Sequence, residues 1–223
     1  MPIPPGRQYA LTLPPATAGD DPFIVTDANR EAHAWITAWP CWNASALILC
    51  GPEGSGKSHL ARLWLERTGA QTLTARVLEQ LPPPGVHALL EQADEVIQEE
   101  MFFHLFNRMA LSGGSLLLTA RTSPKTWNII LPDLRSRLLA LPVATLLPPD
   151  DELLKTLIWK HFSDRQLRIS PEAAAYLHAR AERSYAGLRE LVARIDGYAL
   201  AVKREISIPL LREVLGGDPA DPC

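Results

Sequence analysis

"GPEGSGKSHL", residues 51–60, follows the apolar run "ALILC" (46–50) and leads into the helix-forming "ARLWLER" (61–67). Gly51, Gly56, Lys57 and Ser58 satisfy G-x-x-x-x-G-K-[ST], a loop that joins a buried strand to a helix and holds phosphate. Glycines let the backbone wrap the anion, and the helix N-terminus adds the positive end of its dipole. The spacing predicts that the loop binds ATP or ADP, Lys57 reaching the β-phosphate and, in ATP, the γ-phosphate, and that the Ser58 hydroxyl ligates Mg²⁺. Pro52, Glu53, Gly54, Ser55 and His59 fill the rest of the binding segment. A glycine-rich turn without a ligand is the alternative, and the strand-and-helix setting argues against it.

Outward from this loop, short apolar or alternating segments recur: "AQTLTA" (70–75), "VHALL" (86–90), "SLLLTA" (115–120) and "LPVATL" (141–146). Helical patterns separate them, notably "TDANREAHAWITAW" (26–39), capped at Thr26 or Asp27, and "EEMFFHLFNRMALS" (99–112). Strands alternating with helices imply an α/β class with a parallel sheet covered on both faces. After "PPDD" (148–151) the pattern becomes purely helical. The expected organisation is a tail over 1–22, a P-loop base over 23–148 and a helical lid over 149–223.

Composition bounds the function. The 223 residues are 47% apolar and 21% charged, with a net charge of −3, which argues against a dedicated nucleic-acid binder. The apolar stretch "LLALPVATLLPP" (138–149) is broken by prolines and too short for a bilayer. "MPIPPGRQ" lacks a signal-peptide core, and Cys41, Cys50 and Cys223 form neither a disulfide framework nor a metal spacing. A cytoplasmic protein with no membrane partner is expected. Met101 and His104 read as helix-face core residues, and His87, His161 and His178 have no ligand-like neighbours in the sequence.

P-loop hydrolases also need a carboxylate at a neighbouring strand end to hold Mg²⁺, often followed by one that activates water. "VHALL" delivers Glu91 and Gln92 there. Asp94 is the alternative, but three residues of extended chain span roughly 10 Å, too far to share one metal site. Glu91 is therefore expected beside Mg²⁺, and Gln92 marks a degenerate water-positioning site, because an amide cannot take the proton. Weak intrinsic hydrolysis follows.

Several stretches together resemble the AAA+ module of the bacterial replication initiator DnaA. They are "FIVTDANREAHAWI", "GPEGSGKSHLARLW" with its His59, "QEEMFFHLFNRM", "LLLTARTSPKTWN" and "LPDLRSRL". The likeness covers residues 23–215. With no helix-turn-helix expected after the lid, the chain is similar to the Hda type of homologue, which binds the DNA-loaded sliding clamp and makes ATP-DnaA hydrolyse its nucleotide.

That resemblance implies partners and roles. DnaA and the sliding clamp are the expected partners, DNA is met only through the clamp, and self-association is left open. Gln8, Tyr9, Leu11 and Leu13 in "QYALTL" resemble the family's clamp-binding peptide. Arg137 in "LRSRL" falls on its arginine finger, acting in trans, with Arg135 as a decoy and a surface salt bridge as the plainer role. Thr119 matches a γ-phosphate contact. Three positions depart: the second-sensor arginine falls on Ala186, with Arg189 one turn later as a partial substitute; Arg121 stands where DnaA has an acid; Gln92 replaces a carboxylate. A self-sufficient DnaA-like ATPase and a replication adaptor or loader are the alternatives.

Overall fold

The computed structural model describes residues 23–75, 81–96 and 98–216. Five parallel strands form one sheet in the order β2-β3-β4-β1-β5: β1 (Ala46–Cys50), β2 (Gln71–Thr74), β3 (Ala88–Glu91), β4 (Leu116–Ala120) and β5 (Val143–Thr145). All five residues of β1 and of β4 are buried. That is why these segments read as continuous apolar runs: a parallel sheet covered on both sides has no solvent face to pattern.

Strand periodicity distributes those residues between two cores. Ala46, Ile48, Cys50, Leu116 and Leu118 point to one face, where α3 (Glu99–Ser112) and α4 (Pro132–Leu139) contribute Phe102, Leu105, Leu134 and Leu138. Leu47, Leu49 and Leu117 point to the other, against Ala32 and Ile36 of α1 (Arg30–Thr37) and Leu60 and Trp64 of α2 (Lys57–Thr68).

Register places the site. Cys50 lies opposite Ala120, and Leu90 opposite Leu118, so the loop after β1, the tip of β3 and Thr119 of β4 emerge together at the carboxyl end of the sheet. Ligands of open α/β sheets bind at such a crevice.

The C-terminal helices α5 (Asp151–Asp164), α6 (Pro171–His178), α7 (Tyr185–Val202) and α8 (Ile208–Leu215) enclose a separate core that includes Leu154, Phe162, Leu177, Leu188, Ile195 and Leu211. Three begin at side-chain caps: Asp150, Ser170 and Ser184 accept hydrogen bonds from the N–H groups of Leu153, Ala173 and Gly187. No helix among the described residues is long and apolar enough to cross a membrane.

Asp150 caps the first helix of the lid at 2.8 Å. Partial burial alone raises its pKa, but the hydrogen bond from the Leu153 N–H, with the polar groups of Thr26 and Ala28 acting in the same sense, outweighs that and holds it below the usual carboxylate range. A depressed carboxyl stabilises the fold above its unfolded pKa and loses that contribution as pH falls through the folded value. Asp150→Ala is expected to cost about 1 kcal/mol at pH 7. The gap between urea melts of wild type and variant should narrow as pH falls below the usual carboxylate range; a gap that does not narrow with acid refutes the ionised cap.

The first helix differs from expectation. It starts at Arg30, because Thr26 and Asn29 close a turn first: the Thr26 N–H donates to Asn29 Oδ1 (3.0 Å) and the Asn29 N–H to the Thr26 carbonyl (3.2 Å). Met101 packs against the core as expected, but His104 is exposed. His87 is structural, its Nδ1 accepting the Ser115 N–H at 2.9 Å.

Candidate nucleotide-binding cleft

Gly56, at φ 97°, turns the loop into α2, so Lys57 opens the helix and its N–H groups face the crevice. Lys57 Nζ donates to the carbonyls of Gly51 and Pro52. Burial pushes its pKa down; the Cys50 thiol and the Asp94 carboxylate act in the opposite sense. The surrounding cleft has a volume of about 570 Å³, within the roughly 300–1,000 Å³ typical of small-ligand sites. The loop lines it with Glu53, Gly54, Gly56, Lys57, Ser58 and His59; β4 adds Thr119, and Arg121 follows just beyond its end.

The acidic side is not laid out along an extended chain. Gln92 adopts a left-handed φ of 55°, and a short 3₁₀ turn over Ala93–Glu95 follows. That turn folds the chain back, so Glu91, Gln92 and Asp94 all line the cleft, and the extended-chain spacing that separated Asp94 does not hold. Asp94 Oδ2 accepts the Arg121 N–H at 2.9 Å, while its Oδ1 is buried with no hydrogen-bond partner among the described residues. The Gln92 N–H donates to Thr119 Oγ1 at 3.3 Å.

These donors suit Mg²⁺. A hydroxyl on Ser58 and carboxylates on Glu91 and Asp94 are hard oxygen ligands, and the buried Asp94 Oδ1 makes no hydrogen bond among the described residues. Among the described residues no group of three His, Cys, Asp or Glu could hold a metal alone. Magnesium in nucleotide sites takes one or two carboxylates and completes its shell with phosphate and water, so the set is sufficient.

Arg121 spans the mouth of this region. Its guanidinium lies 3.5 Å from Glu95 and 3.9 Å from the loop's Glu53. The lid closes the far side. Its Tyr185 N–H donates to the Gly54 carbonyl at 2.8 Å, and burial drives the Tyr185 hydroxyl pKa up to about 12. Ala186 and Arg189 line the cleft, as do His161 and Tyr185, which the sequence reading did not place there. Their side chains arrive through the fold of the lid, and no local motif announces them.

Arg137 is elsewhere. It is exposed on α4, is not among the residues lining the cleft, and its guanidinium rests 5.2 Å above the Phe103 ring and 6.0 Å above that of Phe106. The segment before α4 is held by Glu99, whose carboxylate accepts the N–H groups of Ile130 (3.0 Å) and Leu131 (2.7 Å). Arg135 has no ring contact or ion pair among the described residues. The clamp-peptide residues Gln8, Tyr9, Leu11 and Leu13 lie outside the described residues.

Residues 150–215 match the family described as "Hda, lid domain". An uncharacterised protein of Haemophilus influenzae is 29% identical over 88% of this chain and 90% of its own length. The chromosomal replication initiator protein DnaA of Caldanaerobacter subterraneus subsp. tengcongensis is 25% identical over 87% of this chain. The chain is a DnaA-related AAA+ protein. It spans about half the length (51%) of that DnaA.

Solved structures agree on the AAA+ fold. Domain III of Thermotoga maritima DnaA superposes with a TM-score of 0.76 at 19% identity, covering 87% of this chain and 93% of that one. AMPPCP-bound DnaA from Aquifex aeolicus gives 0.65 at 18% identity, covering 78% and 63%. Against the DnaA pattern, the three departures gather at one place: Gln92, Arg121 and Ala186 all line the cleft, with Arg189 beside them.

Proposed function

We propose that this DnaA-related protein regulates replication initiation by holding ADP or ATP in its own cleft and stimulating hydrolysis of DnaA-bound ATP, together with the DNA sliding clamp. The observation that carries the reading is the position of Arg137: a solvent-exposed cation seated on Phe103 and Phe106, away from its own cleft. An arginine there can enter a neighbouring subunit's site and offset charge developing on a transferring phosphoryl group. Ile130, 81% exposed, and Leu139, 45% exposed, flank the same segment and give a partner apolar surface to cover.

The protein's own chemistry is weak in this reading. Lys57 and the loop amides hold phosphate, Ser58 and Glu91 hold Mg²⁺, and Thr119 faces the terminal phosphate. Gln92 orients water without accepting its proton. Gln8, Tyr9, Leu11 and Leu13 dock the clamp, the Gln at a pocket edge and the apolar residues in a groove. The protein acts in the cytoplasm and touches DNA only through the clamp.

The test loads DnaA with ATP, adds clamp on DNA, and follows nucleotide turnover with wild type, Arg137→Ala and Gln8→Ala. Stimulation lost in both variants supports the reading; stimulation retained by Arg137→Ala refutes it. A second reading, a self-sufficient ATPase, draws on Asp94, whose carboxylate shares the cleft with Glu91. Unaided turnover near ~1 s⁻¹, within the ordinary enzyme range, would establish that one instead. We expect turnover far below it.

A further inference from the structure

Helix α3 turns one line of side chains toward α4. Glu99, Phe103 and Phe106 stand at i, i+4 and i+7, the spacing that places residues on one helix face. The Glu99 carboxylate accepts both backbone N–H groups that lead into α4. Ile130 donates at 3.0 Å to Oε1 and 3.1 Å to Oε2, and Leu131 at 2.7 Å to Oε2. Farther along the same face, the rings of Phe103 and Phe106 lie under the Arg137 guanidinium. One face of α3 therefore grips α4 at its start and seats its last turn.

The short helix depends on that grip. It has eight residues, too few to persist in water on its own. No side chain caps it through a hydrogen bond among the described residues, and Pro132 at its first position has no N–H to offer. Leu134 and Leu138 bury its inner face in the core, but apolar packing is non-directional. A carboxylate receiving two N–H groups adds direction, with bonds stronger than neutral ones. Its negative charge also stands at the positive end of the α4 dipole.

We propose that Glu99 is a positioning residue for the stimulation of ATP hydrolysis on DnaA: by anchoring residues 130–131 it fixes where α4 presents Arg137 to the other subunit's site. The inference rests on Arg137 acting in trans. Glu99 does not line this protein's own cleft, so its influence runs through the backbone of α4. Precision matters there, because a misplacement of about 1 Å at a reacting centre can cost about a hundredfold in rate.

The test titrates the full chain into ATP-loaded DnaA with clamp on DNA and follows single-turnover rates. Glu99→Ala is expected to lower the maximal rate about tenfold to a hundredfold. The concentration giving half of that rate, and the affinity of the protein's own cleft for ADP, should not change. Glu99→Gln keeps one acceptor oxygen and should lose less. Glu100→Ala, exposed in the same helical turn, should match wild type. Amide exchange on wild type needs no variant to fold: the Ile130 and Leu131 N–H groups should exchange well below open-chain rates. Open-chain exchange there, or full stimulation by Glu99→Ala, overturns the inference and leaves Arg137 as the finger. A loss confined to the half-saturating concentration also overturns it, since Glu99 would then belong to the docking surface. Stimulation retained by Arg137→Ala overturns the trans reading and this inference together.

Discussion

Arg137→Ala should abolish the stimulation of DnaA-bound ATP hydrolysis while leaving this protein folded and its own nucleotide bound. An arginine finger supplied in trans is worth ~10³–10⁵ in rate, about 4–7 kcal/mol of barrier. The folding cost of the change is small by comparison. Arg137 is exposed and makes cation–ring contacts with Phe103 and Phe106, each worth ~0.5–1 kcal/mol at an exposed site. The two effects separate cleanly by method: a single-turnover assay on ATP-DnaA reads the first, and a thermal melt of the variant reads the second. Arg135→Ala is the comparison, exposed on the same helix and without ring contacts among the described residues. Equal loss in both variants would assign the effect to the helix surface and remove the finger.

The second large effect is expected at Gly54. Its φ of +72° lies in the left-handed region, and a Cβ there would stand 2.5 Å from Ser184 Cβ on the lid. Gly54→Ala therefore combines about 1–2 kcal/mol of backbone strain with about 1–3 kcal/mol of overpacking. The contact can be relieved only by moving the loop or the start of α7, and either movement disturbs the Tyr185–Gly54 hydrogen bond. ADP affinity should fall about tenfold to a hundredfold, since each 1.4 kcal/mol is a factor of ten. Gly69→Ala isolates the backbone part: φ is +64°, but nothing lies within 4 Å of the added carbon. Urea melts giving equal losses for the two variants would mean that the lid does not press on the loop.

Much of this was legible in the sequence, for definable reasons. The loop at 51–58 has a strand and a helix on either side, and α3 falls on Glu99–Ser112 as its apolar spacing and acidic first turn indicate. The four lid helices carry acids, serines or prolines at their starts, the local chemistry of helix N-termini. What could not be read depends on single backbone angles or distant packing. Asp94 enters the cleft because Gln92, a residue with no special preference for it, takes a positive φ. Helix α1 begins late because Asn29 spends its side chain on the turn before it. His161 had no ligand-like neighbours in sequence because its neighbours in the cleft come from α2 and α7.

The bond between Gly54 and Tyr185 makes a lever of α7. The helix is 18 residues long, about 27 Å, so a tilt of about 5° where it meets the loop displaces its far end by about 2 Å. That end carries Leu200, 78% exposed, and is tied to α8 through Tyr198 and Glu213 at 2.8 Å. A small rotation where the helix meets the loop is thus magnified at its far end, where Leu200 faces solvent.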